Sequence, residues 1–214
     1  MSKSFALLLC LLFALPTAFA APAAPVEGVD YLVIDNGQPY APLAGKIEVV
    51  EVFGYWCSHC AELQPTLSAW KRQLPTDVRF TYVPAVFTAG DAFARAYFAA
   101  EHFGVLGKTH DAMFPAIHVD GLLPQNASVD EIAIYYGQHG LDATKARTYM
   151  QSPAADAKLE HARQFALLSG VEGTPTLIVN GRYRVTARTH EAGLRIASQL
   201  IAQLRAAAHR PPQS

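Results

Sequence analysis

The chain has 214 residues, 51% hydrophobic and 16% charged, with 17 Lys and Arg against 18 Asp and Glu. That balance provides no basic excess for nucleic-acid binding, and the length allows a large apolar core to form without disulfide staples. Only three cysteines are present, which excludes a dense disulfide framework.

Residues 1–20 have the form of a secretory signal: Lys3, an apolar run from Phe5 to Leu15, and small residues at Ala18-Phe-Ala20. Cleavage near Ala20 is expected. The run is short and interrupted by Pro16, whereas a membrane span needs about 20 apolar residues. Leu9 before Cys10 does not fit a lipoprotein site. Removing Lys3 with the leader takes the basic count from 17 to 16 against 18 acids. Cys10 leaves as well, so the exported chain keeps Cys57 and Cys60, both available for redox work.

Beyond a Pro/Ala leader at 21–25, Tyr31 to Ile34 predicts a short strand, closed by the turn chemistry of Asp35-Asn-Gly-Gln-Pro39. Lys46 to Tyr55 is a β-branched and aromatic run suited to a buried central strand. Leu63, Leu67 and Trp70 recur at helical spacing over Ser58 to Gln73, with Pro65 expected to kink that helix. Val78 to Val83 alternates as a strand does.

Helical patterns then follow without a strand. Asp91 to Phe103 is one helix; Lys108 to Val119 is a second whose pattern Pro115 is expected to break. Ser128-Val-Asp-Glu131 is a capping box opening a third, through Tyr136, and Asp142 to Gln151 is a fourth. Ala154 to Ser169 is another helix, stopped by Gly170. Thr176 to Val179 and Arg182 to Val185 flank Asn180-Gly181, a dipeptide that favours the turn twist of an antiparallel hairpin. Glu191 to Ala207 closes the chain, before a tail at 210–214 expected to be disordered.

Strands on both sides of a helical block predict one α/β domain carrying an insertion, since neither flank alone has enough strands for a sheet. The expected division is 26–88 with 152–208 for the discontinuous α/β unit and 89–151 for the helical insertion.

Cys57-Ser-His-Cys60 falls where the central strand gives way to a helix. Cys-x-x-Cys in that position is the redox arrangement of thioredoxin-like proteins. The unpaired amide groups and positive dipole end of the helix stabilise a thiolate at Cys57. His59 can add a donor or a positive charge. A stabilised thiolate favours the reduced state and so makes the disulfide a stronger oxidant: one pKa unit is about 1.4 kcal/mol, equivalent to about 30 mV for two electrons. Cys57 is therefore assigned as the attacking sulfur and Cys60 as the resolving one.

The chain resembles the bacterial periplasmic DsbA family of thiol:disulfide oxidoreductases. The resemblance rests on Val49-Val-Glu-Val-Phe-Gly-Tyr-Trp-Cys-Ser-His-Cys60, Gly173-Thr-Pro-Thr176 and Val179-Asn-Gly-Arg-Tyr183, with the helical insertion between them. It implies a thioredoxin fold with an inserted helical domain, and an oxidase that donates its Cys57-Cys60 disulfide to reduced, unfolded exported proteins. No cofactor beyond that disulfide is implied, and a DsbB-like membrane oxidase would regenerate it. Glu51, six residues before Cys57, resembles the family's buried acid, able to relay a proton to or from Cys60; otherwise it is an inward acid tolerated by a hydrogen bond. The resemblance also implies a cis bond before Pro175, with the Thr174 backbone offered to an extended substrate segment.

Ser58 and Thr174 depart from the family's best-known pattern, which has proline and valine there, and threonine before the cis-proline also occurs in disulfide isomerases. An isomerase or reductase is thus the alternative enzyme. No segment before the first strand is long enough for the isomerases' dimerisation domain, so a monomer is expected. A third reading makes Cys57, Cys60 and His59 soft-metal ligands, although three ligands on one turn suit a tetrahedral site poorly. Haem attachment would require histidine at position 61, which is alanine. Tyr55 and Trp56 are either core or an apolar rim for substrate.

Overall fold

The computed structural model describes residues 23–88 and 90–208; the leader with its cleavage point and the tail at 210–214 lie outside them. The elements are β1 (Tyr31–Val33), β2 (Ile47–Phe53), α1 (Ser58–Lys71), β3 (Val78–Pro84), α2 (Ala92–His102), α3 (Leu106–His118), α4 (Val129–Gln138), α5 (Ala143–Met150), α6 (Pro153–Leu168), β4 (Thr176–Val179), β5 (Tyr183–Val185) and α7 (His190–Ala208).

Local chemistry accounts for many of the boundaries. The side chains of Asp91, Asp142 and Ser152 accept the amide hydrogens of Ala94, Lys145 and Ala155, relieving unpaired donors at the starts of α2, α5 and α6. At α4 both halves of the expected box form, Ser128 with the Glu131 amide and the Glu131 carboxylate with the Ser128 amide. Asn180 and Gly181 both have positive φ, 57° and 63°, as the tight β4–β5 turn requires.

Proline ends neither α1 nor α3. Helix α1 continues as one element through Pro65. Pro115, expected to break its pattern, instead lies inside α3 near its end. Its carbonyl accepts the amides of Val119 and Asp120 at 3.0 and 2.8 Å, so the helix closes around it.

The strands form one mixed sheet in the order β1-β5-β4-β2-β3. Central β2 pairs in parallel with β3 and antiparallel with β4, bringing together segments that the helical block separates in sequence. Residues alternate faces along β2. Val50 and Val52 join a cluster containing Phe98, Met113, Ile132 and Tyr136 from the helical block. Val49 joins Leu63 and Leu67 of α1 and Leu194 and Leu200 of α7. The sheet is therefore covered on both faces, and the carboxyl end of β2 emerges between them. No helix among the described residues is long and apolar enough to cross a membrane.

Candidate active site

From the end of β2, Gly54, Tyr55 and Trp56 turn the chain into α1. The turn is closed by the Cys57 amide, which donates to the Gly54 carbonyl at 3.1 Å. Gly54 is required by close packing: a Cβ there would fall 2.7 Å from the Trp56 ring. Cys57 is the N-cap of α1, in an extended conformation (φ −81°, ψ 117°), with its sulfur in the place usually taken by a serine or aspartate oxygen. The Cys60 amide donates to this sulfur at 3.4 Å.

Both cysteines are free thiols, but they are held differently. Cys57 keeps 7% of its surface exposed, whereas Cys60 keeps none. The Cys57 thiol is lowered to about 5, chiefly by the hydrogen bond from Cys60; burial opposes this, and the Thr174 side chain with the Cys60 and His59 amides reinforces it. Cys60 is pushed far up by the same bond, by burial and by the Glu51 charge. The pair is thus polarised, with the surroundings favouring the charged form of Cys57 and the neutral form of Cys60.

Facing them is the loop before β4. The Thr174-Pro175 peptide is cis, and the Cys57 thiol lies 3.3 Å from the Thr174 carbonyl oxygen. A groove of about 100 Å³ runs beside this loop, lined in part by Leu63, Pro175, Leu177, Val185 and His190.

The side chain of His59 does not take the place the sequence suggested. It is exposed, with Nδ1 3.2 Å from a Glu62 carboxylate oxygen, and its ring centroid is 6.4 Å from that of His190. Its backbone amide, rather than its imidazole, supports the thiolate. The soft-metal set of Cys57, Cys60 and His59 is accordingly not assembled. Among the described residues, His59, Glu62 and His190 do bring one donor atom each within 4.8 Å of one another, an exposed grouping that involves neither sulfur.

Glu51 is buried, and neither of its carboxylate oxygens has a hydrogen-bond partner among the described residues. Burial raises it to about 8, opposed by the Lys71 charge and reinforced by Cys57. It shares the Val49 face of β2, toward α1. Its parallel-strand partner Tyr82 accepts hydrogen bonds on its hydroxyl from Lys71 at 2.8 Å and Gln64 at 3.0 Å. Gln64 also donates to Asp111 at 2.7 Å. Lys71, Tyr82, Gln64 and Asp111 were not singled out from the sequence. The one signal available is Gln64, a polar residue on the same helical stripe as Leu63 and Leu67.

The two aromatic residues of the turn divide. Tyr55 is core, 1% exposed, with its hydroxyl 2.9 Å from His110 Nδ1 and its carbonyl accepting from His118 Nε2 at 2.8 Å. Trp56 is half-buried against Phe87, itself 66% exposed, so only Trp56 remains available for a rim beside the dithiol.

A dithiol capping the first helix after a central strand, one cysteine slightly exposed and the other sealed, opposite a cis-proline loop, defines a thiol:disulfide oxidoreductase of the thioredoxin fold. Here the fold carries a helical block between β3 and α6. The family model for the DSBA-like thioredoxin domain matches residues 85–192, a stretch that contains Pro175 and leaves the cysteines outside it. The thiol:disulfide interchange protein DsbA of Azotobacter vinelandii is 36% identical over 202 residues, covering 92% of this chain and 93% of that protein. The DsbA of Pseudomonas aeruginosa is 35% identical over 185 residues, 85% of this chain and 86% of its own length. The crystal structure of the oxidoreductase DsbA from Xylella fastidiosa superposes with a TM-score of 0.83 at 47% identity, covering 86% of this chain and all of that one. The chain belongs to the DsbA family.

Proposed function

We propose that this enzyme is a periplasmic dithiol oxidase that donates the Cys57-Cys60 disulfide to reduced, unfolded exported proteins. A substrate thiolate attacks Cys57 Sγ, the Cys57-Cys60 bond breaks, and Cys60 leaves with the electron pair and takes up a proton. A second substrate thiolate then attacks the substrate sulfur of the mixed disulfide. Cys57 departs as a thiolate, two electrons remain on the enzyme, and the substrate keeps a disulfide. The position of Cys57 carries this reading: its sulfur caps α1, the Cys60 amide supports it, and it alone of the pair reaches solvent.

Glu51 supplies and withdraws the Cys60 proton in this scheme, supported by its burial and its charge coupling to Cys60. His59 contributes through its main chain. The Thr174 backbone pairs with an extended substrate segment, Pro175 shapes the loop, and the adjacent groove takes an apolar side chain. A DsbB-like membrane oxidase returns the dithiol to the disulfide, the disulfide serves without an added cofactor, and the enzyme acts as a monomer. Export follows signal cleavage near Ala20, and the working division is 26–88 with 152–208 around a helical domain at 89–151.

Equilibration with glutathione buffers, alongside titration of thiolate absorbance, tests this function. The expected result is a disulfide more oxidising than glutathione and a Cys57 midpoint near pH 5. A midpoint near the ordinary thiol value of about 8.5, with a potential no higher than that of glutathione, would overturn it. Rapid repair of scrambled disulfides with little oxidation of reduced chains would instead favour an isomerase, the reading to which Thr174 points.

A further inference from the structure

Tyr55 is gripped at both ends by the same helix. His110 and His118, eight residues apart on α3, meet its hydroxyl at 2.9 Å and its carbonyl at 2.8 Å. Tyr55 lies within the turn closed by the Cys57 amide on the Gly54 carbonyl. No main-chain donor among the described residues reaches the Tyr55 carbonyl, so His118 is the group that satisfies it. A carbonyl can only accept, which places a proton on His118 Nε2 whether the ring is neutral or charged. His110 is buried, and burial holds it down at about 3, so it meets the Tyr55 hydroxyl as a neutral ring. It is also packed against Tyr82 with ring centroids 3.9 Å apart.

We propose that His118, seconded by His110, is a positioning residue for the nucleophile: α3 clamps Tyr55 and thereby holds Cys57 Sγ against the amide groups of α1. The inference rests on Cys57 being the reactive sulfur, as in the oxidase reading. Only one residue separates the clamped carbonyl from Cys57. The charge on the sulfur depends on the Cys60 amide, which donates to it at 3.4 Å, and on the His59 amide beside it. Electrostatic support of this kind falls with distance, so a turn released from His118 lets the sulfur drift from the donors that stabilise its charge. The helical block then sets the reactivity of a cysteine on the other side of the fold boundary.

The test compares His118→Leu, which removes the donor, with His118→Gln, which keeps an N–H donor, on the full mature chain. In the leucine variant the Cys57 midpoint rises by about one pH unit. Alkylation of the reduced enzyme at pH 5 then slows about fivefold while that at pH 8 is unchanged, because only the thiolate reacts. The glutathione equilibrium moves up to about tenfold toward a weaker oxidant. The glutamine variant stays near the parent. A folded leucine variant with an unmoved midpoint, or a glutamine variant displaced as far as leucine, overturns the clamp. If the leucine variant fails to fold, the parent protein still decides the matter by nitrogen-15 imidazole spectra: a fixed Nε2 proton on His118 supports the clamp, and averaging between the two nitrogens overturns it. An ordinary thiol midpoint in the parent protein itself would count against the oxidase reading instead, leaving the two failures distinguishable.

Discussion

Glu48 and Glu51 lie three residues apart on β2, both buried, on opposite faces of the strand. Glu48 is fully partnered. One oxygen accepts from Arg79 at 2.6 Å and the other from the Tyr40 amide at 2.7 Å, while Arg79 also donates to the carbonyls of Ala41 and Pro42. That carboxylate fastens the chain ahead of β2 to the sheet. Glu51 has no hydrogen-bond partner on either oxygen among the described residues and is charge-coupled to Lys71, Tyr82 and the two cysteines. A buried ion pair with satisfied hydrogen bonds holds structure. A buried acid left unpaired destabilises the fold, and its charge coupling to Cys60 is the observation behind the proton relay proposed for it.

The comparison breaks most forcefully at Glu48. Glu48→Ala leaves Arg79 without its carboxylate and should cost about 3 kcal/mol or more, read as a lower urea midpoint between pH 6 and 8, with the glutathione equilibrium unchanged. A loss of only a few tenths would mean that the pair is not structural.

Glu51→Gln should act the other way. Glu51 is raised in the folded state from 4.5 to about 8. Its penalty is therefore absent below the unfolded value, grows as pH rises between the two values, and is constant above about 8. At pH 7 that amounts to about 3 kcal/mol of destabilisation. Relative to the parent, the reduced glutamine variant should gain stability by up to this amount at pH 7 and nothing near pH 4, with slower proton exchange at Cys60. Unfolding curves at the two pH values measure it; parallel pH dependence in parent and variant would remove Glu51 from the proton path.

The smallest effect is expected at His59, whose side chain pairs with Glu62 in solvent. His59→Ala should move the Cys57 midpoint by less than about half a pH unit, the scale of exposed charge interactions. A shift of more than one unit in the thiolate titration would restore the imidazole as a tuner.

How much of this was legible follows from where the determining contacts lie. The capping box at Ser128, the Asn180-Gly181 turn and the helix opening at the dithiol depend on neighbours within a few residues, and each forms where the spacing placed it. Pro115 misled because it removes one backbone donor, the one that would reach the Asp111 carbonyl, and α3 tolerates that loss, its end being closed by the Val119 and Asp120 amides on the Pro115 carbonyl. Sequence distance also hid the partners of Tyr55, His110 and His118, which lie 55 and 63 residues away.

By itself the sequence determined the order and type of the elements, the Cys57/Cys60 pair at a helix start and the resemblance carried by Thr174-Pro175, because periodicity, caps and turns are local chemistry. Tertiary structure alone decided that Glu48 is paired and Glu51 is not, that His59 faces solvent, and that α3 reaches the turn before the dithiol. The reason is that the environment of a polar group is set by whichever distant elements pack against it, and the strand carrying these two acids is covered on its two faces by different parts of the chain.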